Sequence, residues 1–300
     1  MNTTLLVWLV PTLAAMFAWG IAQGLVKKYI GEVSPARFCL YYAVANAAVN
    51  ILFWATQDAP PVFAPEGRMF LIIGLGAYLL EGIAWIFYYQ SIVYGPISIV
   101  GTLSAAYPAL TVIFANRFLG ETLSPFQVAG VVAIIAGCLA LAWSPAGSAR
   151  PASSRRWIPL AGAALLLWGV TGVLIRYAYA WYGDNEANIA SEANMALFIA
   201  VGGLLTLGVY GFAFGRQGAT SRSEWTRSFL PMATMALGGL LAAIAYKTGP
   251  ASIVSPLSGA YPIVTLGFAW AVLKERPSAL QWAGIAAILA GFVLTTMSAG

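Results

Sequence analysis

One acidic side chain lies deep inside an apolar stretch of this sequence. Glu81 stands near the middle of the run 69–93, which is mostly apolar and aromatic. An ionised carboxylate at that depth of a bilayer costs on the order of 3 kcal/mol unless it is protonated, paired or hydrated. No lysine or arginine is predicted at comparable depth, and the chain contains no histidine. Glu81 is therefore a candidate for proton coupling or for the counter-ion of a cationic substrate, whereas a protonated acid that only bonds to a neighbouring helix is the alternative.

Aromatic side chains share the helical face of this acid. Tyr78, Trp85 and Tyr88 recur with Glu81 at intervals of three and four residues, so they form one stripe of a helix. Each cation–π contact to such rings contributes about 0.5–2 kcal/mol when it is shielded from water. The stripe predicts a site for an organic cation. Simple packing or an interfacial aromatic belt, which would suit Tyr88 or the adjacent Tyr89, gives the same pattern.

Two prolines fall in the middle of apolar runs, each directly after a tyrosine. Pro108 cannot bond to the carbonyl of Ser104, and Pro262 is expected to free a serine carbonyl in the same way. Interrupted helices with polar groups at mid-depth are typical of transporter binding sites, although a static kink is the alternative. We expect substrate contacts from Ser104, Tyr107, Ser258 and Tyr261, and hinges at Pro108 and Pro262.

A tryptophan–glycine pair also occurs twice, at 19–20 and at 168–169, with a polar side chain about a turn later. Glycine at this place lets another backbone approach closely. We expect the side chains around these pairs to line the same cavity, namely Trp19, Gln23, Trp168 and Thr171.

Other polar residues favour structural roles. Asn46 and Asn50 share a face of one span, and hydrogen bonds between helices explain them as well as substrate contact does. Glu121 and Glu275 lie in turns, each followed by the Ser-x-x-Gln spacing of a capping box, which favours local structure over an acidic pair.

These residues belong to two copies of one unit. The segment 95–137 is repeated as 249–291, 154 positions later, and just over half of the aligned residues are identical. Each copy contains an odd number of apolar spans, so the second must enter the membrane in the opposite direction. Inverted repeats of this kind are the structural basis of alternating-access transport. Small-residue ridges near the end of each copy suit close helix packing within or between chains, at Ala129, Ala133 and Gly137 and at Ala283, Ala287 and Gly291.

The composition is that of a membrane protein. Hydrophobic residues make up 60% of the 300 residues and charged residues 8%. A bilayer span takes roughly 20 mostly apolar residues. The chain offers ten such stretches, near 5–26, 36–56, 69–93, 96–117, 124–143, 157–180, 191–214, 228–247, 250–273 and 278–297.

The predicted fold class is therefore all-α integral membrane, with ten transmembrane helices as two inverted five-helix repeats. The N-terminal repeat covers 1–143, a cytoplasmic linker 144–156 and the C-terminal repeat 157–300. The start of the sequence lacks a basic signal region, so we interpret the first span as a retained helix.

The loops predict the orientation. One side collects eleven basic residues and the other four, and the positive-inside rule makes the first side cytoplasmic. Both termini are then outside, and the protein is expected in the cytoplasmic (inner) membrane. The first group is Lys27, Lys28, Arg37, Arg150, Arg155, Arg156, Arg216, Arg222, Arg227, Lys274 and Arg276, and the second is Arg68, Arg117, Arg176 and Lys247.

At Tyr107-Pro108, Leu119-Gly120-Glu121 and 127–130, and again in the second copy, the chain resembles the ten-helix EamA-type branch of the drug/metabolite transporter superfamily. The resemblance covers essentially the whole chain. It implies a central cavity lined by spans 1, 3, 4, 6, 8 and 9, with spans 5 and 10 at the periphery. That superfamily moves amino acids, sugars, nucleotide sugars, quaternary amines and drugs, so the resemblance does not select a substrate. Lys274 departs from it by replacing the glycine of the second turn.

The leading hypothesis is a secondary active transporter of a small polar or cationic metabolite, with Glu81 as the coupling residue. An exporter of neutral or aromatic amino acids is the alternative within transport, and a passive channel is the alternative outside it. An intramembrane enzyme is disfavoured, since the chain offers no histidine and no clustered carboxylates.

The sequence implies no cofactor, no metal and no nucleic-acid partner. It contains no P-loop pattern for ATP, so gradients would supply the energy. The expected partners are a small-molecule substrate and the lipid bilayer. A homodimer through spans 5 and 10 is also compatible with the small-residue ridges.

Overall fold

The structure, a computed structural model, describes residues 3–29, 33–95, 100, 106–142, 154–182, 189–215, 222–274 and 276–296. Within these ranges all regular structure is helical. Eight helical segments there are long and apolar enough to cross a membrane, and Ala279–Thr295 is a shorter apolar helix. The protein is thus an all-helical, multi-pass membrane protein, while the count of ten spans stays a prediction. Ser104, Glu275 and most of the predicted linker lie outside the described residues.

In the described part of the first half, five α-helices are long enough to be numbered. They are α1 (Thr3–Tyr29), α2 (Pro35–Ala55), α3 (Arg68–Tyr94), α4 (Tyr107–Phe114), which continues into a π-helical turn at Ala115–Leu119, and α5 (Pro125–Ala142). The predicted capping box at the start of α5 is confirmed. The backbone N–H of Ser124 donates to the side chain of Gln127 at 2.9 Å, and the N–H of Gln127 donates back to the serine hydroxyl at 3.3 Å.

The second half repeats this order. It contains α6 (Trp157–Ala180), α7 (Glu192–Gly203), a π-helical turn (Leu204–Gly208), α8 (Val209–Phe214), α9 (Arg222–Thr248), α10 (Ala251–Gly259), α11 (Pro262–Val272) and α12 (Ala279–Thr296). Ser278 and Gln281 form the second capping box, so both copies start their last helix in the same way.

Contacts that one half makes with the other occur a second time, with the roles of the two halves exchanged. Helix α1 packs on α9 and α11, while its counterpart α6 packs on α3 and α4. Gly20 lies against Val264, and Gly169 lies against Leu110, which is the equivalent residue 154 positions earlier. A Cβ atom at either glycine would overlap that neighbour. The repeated tryptophan–glycine pair therefore serves the same packing purpose in both halves.

Helices α5 and α12 pack against each other along their small-residue ridges. A Cβ on Gly137 would lie 2.6 Å from the carbonyl oxygen of Gly284, and one on Gly291 would lie 2.6 Å from that of Gly130. The ridges are thus used within the chain. A homodimer through spans 5 and 10 stays a prediction, and it would have to use other faces of these helices.

The predicted ninth span is interrupted where its proline stands. Helix α10 ends at Gly259 and α11 begins at Pro262. The prediction of a freed carbonyl is wrong at Ser258, because the N–H of Tyr261 donates to it at 3.3 Å in a tight turn. The Ser258 hydroxyl also stays within its helix and donates to the carbonyl of Val254 at 2.7 Å. Gly259 faces Pro108, so the two proline-containing spans meet at mid-molecule.

Candidate functional site

A cavity of about 130 Å³ lies between the two halves. It is bounded by α1, α3, α4, α6, α9 and the break between α10 and α11, which are the elements that the resemblance implied. Ten of the twelve residues proposed for substrate contact line it: Trp19, Gln23, Tyr78, Glu81, Trp85, Tyr88, Tyr107, Trp168, Thr171 and Tyr261. Ser258 does not line it, and Ser104 falls outside the described residues.

Glu81 occupies the centre of α3 and is held by both halves of the protein. The indole N–H of Trp85, one turn later on the same helix, donates to its Oε1 at 3.1 Å. The indole of Trp168, on α6 of the second half, also donates to this carboxylate. The side chain is only partly buried, because its remaining surface faces the cavity. Two donors orient the carboxylate without neutralising it.

Aromatic rings form the wall around this acid. The ring centroid of Trp168 lies 5.1 Å from that of Trp85, 5.3 Å from that of Tyr88 and 6.1 Å from that of Tyr107. On the opposite wall Trp19 meets Tyr261 edge to face at 6.2 Å. Tyr88, and not Tyr89, borders the cavity. These contacts draw rings from both repeats into one surface.

Among the described residues, Glu81 supplies the one carboxyl group of the lining. In the part of the chain that the structure describes, no lysine or arginine borders the cavity. Arg176 is the basic residue of α6, and it donates instead to the carbonyl of Lys247 at 2.6 Å. A charge on Glu81 must therefore be matched by a proton, by water or by a bound cation.

The resemblance implied that the eighth span, α9, lines the cavity, but none of its residues was named for the site from the sequence. The wall that α9 contributes consists of small and apolar residues with no evident chemistry, namely Met235, Gly239, Ala242 and Ala243, followed by Tyr246. The available signal was the repeat itself. Extending the offset of 154 upstream places Met235, Gly239 and Ala242 at the positions equivalent to Glu81, Trp85 and Tyr88.

Glu121 has a wider role than the local one that its turn predicted. Its carboxylate accepts the backbone N–H groups of Ala251 and Ser252 at 2.9 and 2.8 Å, and the Ser252 hydroxyl at 2.6 Å. These donors form the N-terminus of α10, where a negative charge is stabilised by the helix dipole. The Nε of Arg176 lies 4.0 Å away. Glu121 thus ties the first half to the second at one end of the molecule.

A neighbouring ion pair extends this link. The Nζ of Lys247 lies 2.8 Å from a carboxylate oxygen of Glu192 at the start of α7. Together with Arg176, which donates to the carbonyl of Lys247, it joins the ends of α6, α7 and α9. Among the described residues, no group of three or more His, Cys, Asp or Glu side chains could hold a metal ion.

Comparisons with known proteins agree with this architecture. Residues 6–143 and 155–297 match the EamA-like transporter family, so both halves are covered. No curated protein matches the chain. A solved structure described only as the crystal structure of a protein covers 96% of this chain and 95% of its own, with a TM-score of 0.76 and 21% identity. An identity that low shows the fold alone.

Proposed function

The chain belongs to the EamA-like transporter family and is a membrane transporter of the drug/metabolite transporter superfamily, and we propose that it moves a small organic cation by proton-coupled alternating access. In this proposal the cation and a proton compete for the carboxylate of Glu81. The protein lies in the cytoplasmic membrane with both termini outside, as the distribution of lysine and arginine predicts.

The observation that carries the proposal is one carboxylate in a cavity wall without a basic partner. Trp85 and Trp168 fix its orientation through indole N–H groups, one from each half. Moving an unmatched charge out of water is costly, so the binding of either a proton or a cation is favourable there. Because the site binds either a proton or the cation, but not both at once, movement of the cation is coupled to movement of protons in the opposite direction.

The rings and the size of the cavity favour an organic cation over a metal ion. The faces of Trp168, Tyr88 and Tyr107 can each contribute about 0.5–2 kcal/mol to a desolvated cation. The cavity of about 130 Å³ is close to the roughly 150 Å³ that holds a benzene molecule in an engineered protein cavity. The substrate in this conformation is accordingly small, of the size of a simple amine or quaternary ammonium compound.

The polar link at one end supports alternating access. Glu121 of the first half binds the start of α10 in the second half, and Lys247 binds Glu192 beside it. We propose that the bonds of Glu121 hold that end closed in this state and separate when the halves rock, while the pair of Lys247 and Glu192 moves with the second half. Bending would occur at the break before Pro262, and its repeat partner Pro108 would bend the fourth span.

The first test is ligand binding to the purified protein. Primary amines, quaternary amines, amino acids, sugars and nucleosides are added separately, and the unfolding temperature is recorded. A ligand at a hundredfold excess over its Kd stabilises the folded state by about 2.7 kcal/mol. We expect amines to raise the unfolding temperature of the wild type and to leave that of Glu81→Gln unchanged. Glu66→Gln, which alters an exposed acid, is the matched control and should respond as the wild type does.

The second test is transport of the best binder into proteoliposomes. We expect Glu81→Gln to lose accumulation driven by a pH gradient, because its amide can neither release a proton nor neutralise a cation. Accumulation by Glu81→Gln with the proton dependence of the wild type would refute the coupling role. Stabilisation by neutral amino acids alone would favour the amino-acid exporter instead.

A further inference from the structure

Glu81 borders a second, smaller cavity as well as the central one. This cavity measures about 60 Å³ and is bounded by α2, α3 and the junction of α7 with the following π-helical turn, together with Trp19 and Gly239. Tyr42, Asn46, Gly203 and Leu207 line it and do not line the central cavity. Glu81 therefore belongs to a wall that borders both cavities.

The polar groups of the smaller cavity are fixed in place. The side-chain amide of Asn46 donates to the carbonyl of Ile199 at 3.1 Å and accepts a hydrogen bond from Asn50 at 3.1 Å. A Cβ on Gly203 would lie 2.7 Å from the amide nitrogen of Asn46, so only glycine leaves room for this amide against α7. The cavity is large enough for water, which needs roughly 10–15 Å³ by this measure and two to four polar partners.

A line of polar groups leads from this cavity along α2. Asn46, Asn50 and Trp54 follow one another at four-residue intervals, so they lie on one face of the helix. The Oδ1 of Asn50 and the indole Nε1 of Trp54 are buried and have no hydrogen-bond partner among the described residues. The first is a hydrogen-bond acceptor and the second a donor, so a water molecule between them could bond to both. Beyond Trp54 the helix ends at Ala55, which is exposed.

We propose that the smaller cavity and this face of α2 form a water-filled path by which protons reach Glu81 separately from the substrate. Water carries the proton, and the amides of Asn46 and Asn50 orient the water without titrating. One proton binds to one carboxylate oxygen and removes its charge, and the cation in the central cavity then loses its counter-ion. The inference deepens the proposed function, on which it rests.

The other titratable groups that face Glu81 do not compete for this proton. They are the phenols of Tyr42 on α2, Tyr78 on α3, Tyr107 on α4 and Tyr246 on α9. A phenol is already protonated at neutral pH. Among the described residues, the two cavities are also lined by the phenols of Tyr88 and Tyr261, and by no carboxyl or basic side chain besides Glu81.

Exchange of the Glu81 proton for deuterium tests the path without any substrate. The carboxyl band is followed by infrared difference spectroscopy after transfer to D₂O, and Glu81→Gln identifies it by its loss. Asn46→Leu and Asn50→Leu replace the amides by side chains of similar size. Each removes a hydrogen-bonded water position worth about 1–1.5 kcal/mol, so the exchange should slow by about tenfold.

Two further variants keep the test decisive. Thr171→Val removes a hydroxyl from the wall of the central cavity alone and should exchange as fast as the wild type. Trp54→Phe removes one indole N–H next to the end of α2, where the side chain is partly exposed, and should slow the exchange by a smaller factor. Wild-type rates in all α2 variants, or equal slowing by Thr171→Val, would overturn the path.

Failure of the path and failure of the proposed function give different results. If Glu81→Gln abolishes accumulation driven by a pH gradient while the α2 variants exchange normally, only the separate path is wrong. If Glu81→Gln transports as the wild type does, the coupling role itself is wrong, whatever the exchange rates are.

Discussion

Helices α3 and α9 occupy equivalent places in the two repeats, yet they bring opposite chemistry to the same cavity. Each has 27 residues, and Arg222 follows Arg68 by the 154 positions that separate the copies. At equivalent positions α3 carries Glu81, Trp85 and Tyr88, whereas α9 carries Met235, Gly239 and Ala242. One helix supplies charge and aromatic surface, and the other supplies space.

The tryptophans that face these helices make the comparison sharper. Trp168 donates its indole N–H to the side chain of Glu81. Its counterpart Trp19 donates to the backbone carbonyl of Met235, the residue equivalent to Glu81, at 3.2 Å. The duplicated unit thus supplies the same donor at the same place twice. Only in one copy does the acceptor belong to a side chain, so specialisation of one position is enough to make the cavity asymmetric.

Moving the acid from α3 to α9 should have the largest effect on binding and transport. We expect Glu81→Met to lose amine binding and proton-driven accumulation. Adding Met235→Glu should restore binding, because position 235 also lines the central cavity. It should not restore accumulation, because Met235 does not border the smaller cavity. Thermal-shift binding and proteoliposome uptake measure the two effects, and recovery of both would mean that the repeats are functionally interchangeable.

Much of this arrangement could be predicted from the sequence, because hydropathy and helical spacing are local signals. The span predicted at 69–93 is observed as Arg68–Tyr94, and its three- and four-residue spacing placed Tyr78, Glu81 and Trp85 on the cavity. The span predicted at 228–247 begins earlier, at Arg222, because a polar first turn lowers its hydropathy. Within that turn Glu224 accepts a hydrogen bond from Tyr41 at 2.8 Å, a contact that no local pattern contains.

Contacts between distant segments account for the rest. The bonds from Glu121 to the start of α10 join residues about 130 positions apart, so its turn motif could indicate only the cap that follows. Pro262 has no N–H to offer the carbonyl of Ser258, as the sequence predicted. The tight turn before Pro262 nevertheless supplies another donor, the N–H of Tyr261. The small residues of α9 carry no chemical signal, and only their place in the repeat connects them to the site.

Removing the indole donor of one repeat or of the other should have effects of intermediate size, which differ between the two repeats. Trp168→Phe removes a hydrogen bond to a charged group, which contributes about 1.5–3 kcal/mol, and it should weaken amine binding by at least about tenfold. Trp19→Phe removes a bond to a carbonyl, worth about 1 kcal/mol, and should act mainly on the unfolding temperature. Binding isotherms and thermal unfolding of both variants measure this. Equal losses of affinity would indicate that the rings, and not the bond to Glu81, determine binding.

The two packing glycines should show no difference between the repeats. Gly20 lies against Val264 and Gly169 against the equivalent Leu110, so a methyl group at either place overlaps a side chain of the other half. We expect Gly20→Ala and Gly169→Ala each to destabilise the protein by about 1–3 kcal/mol, as overpacking does. Gly162→Ala is the matched control, since a Cβ there meets no atom within 4 Å. A large inequality between the two variants, measured by thermal unfolding, would mean that the halves share their sequence pattern but not their packing, and the asymmetry at Glu81 would then extend to the scaffold.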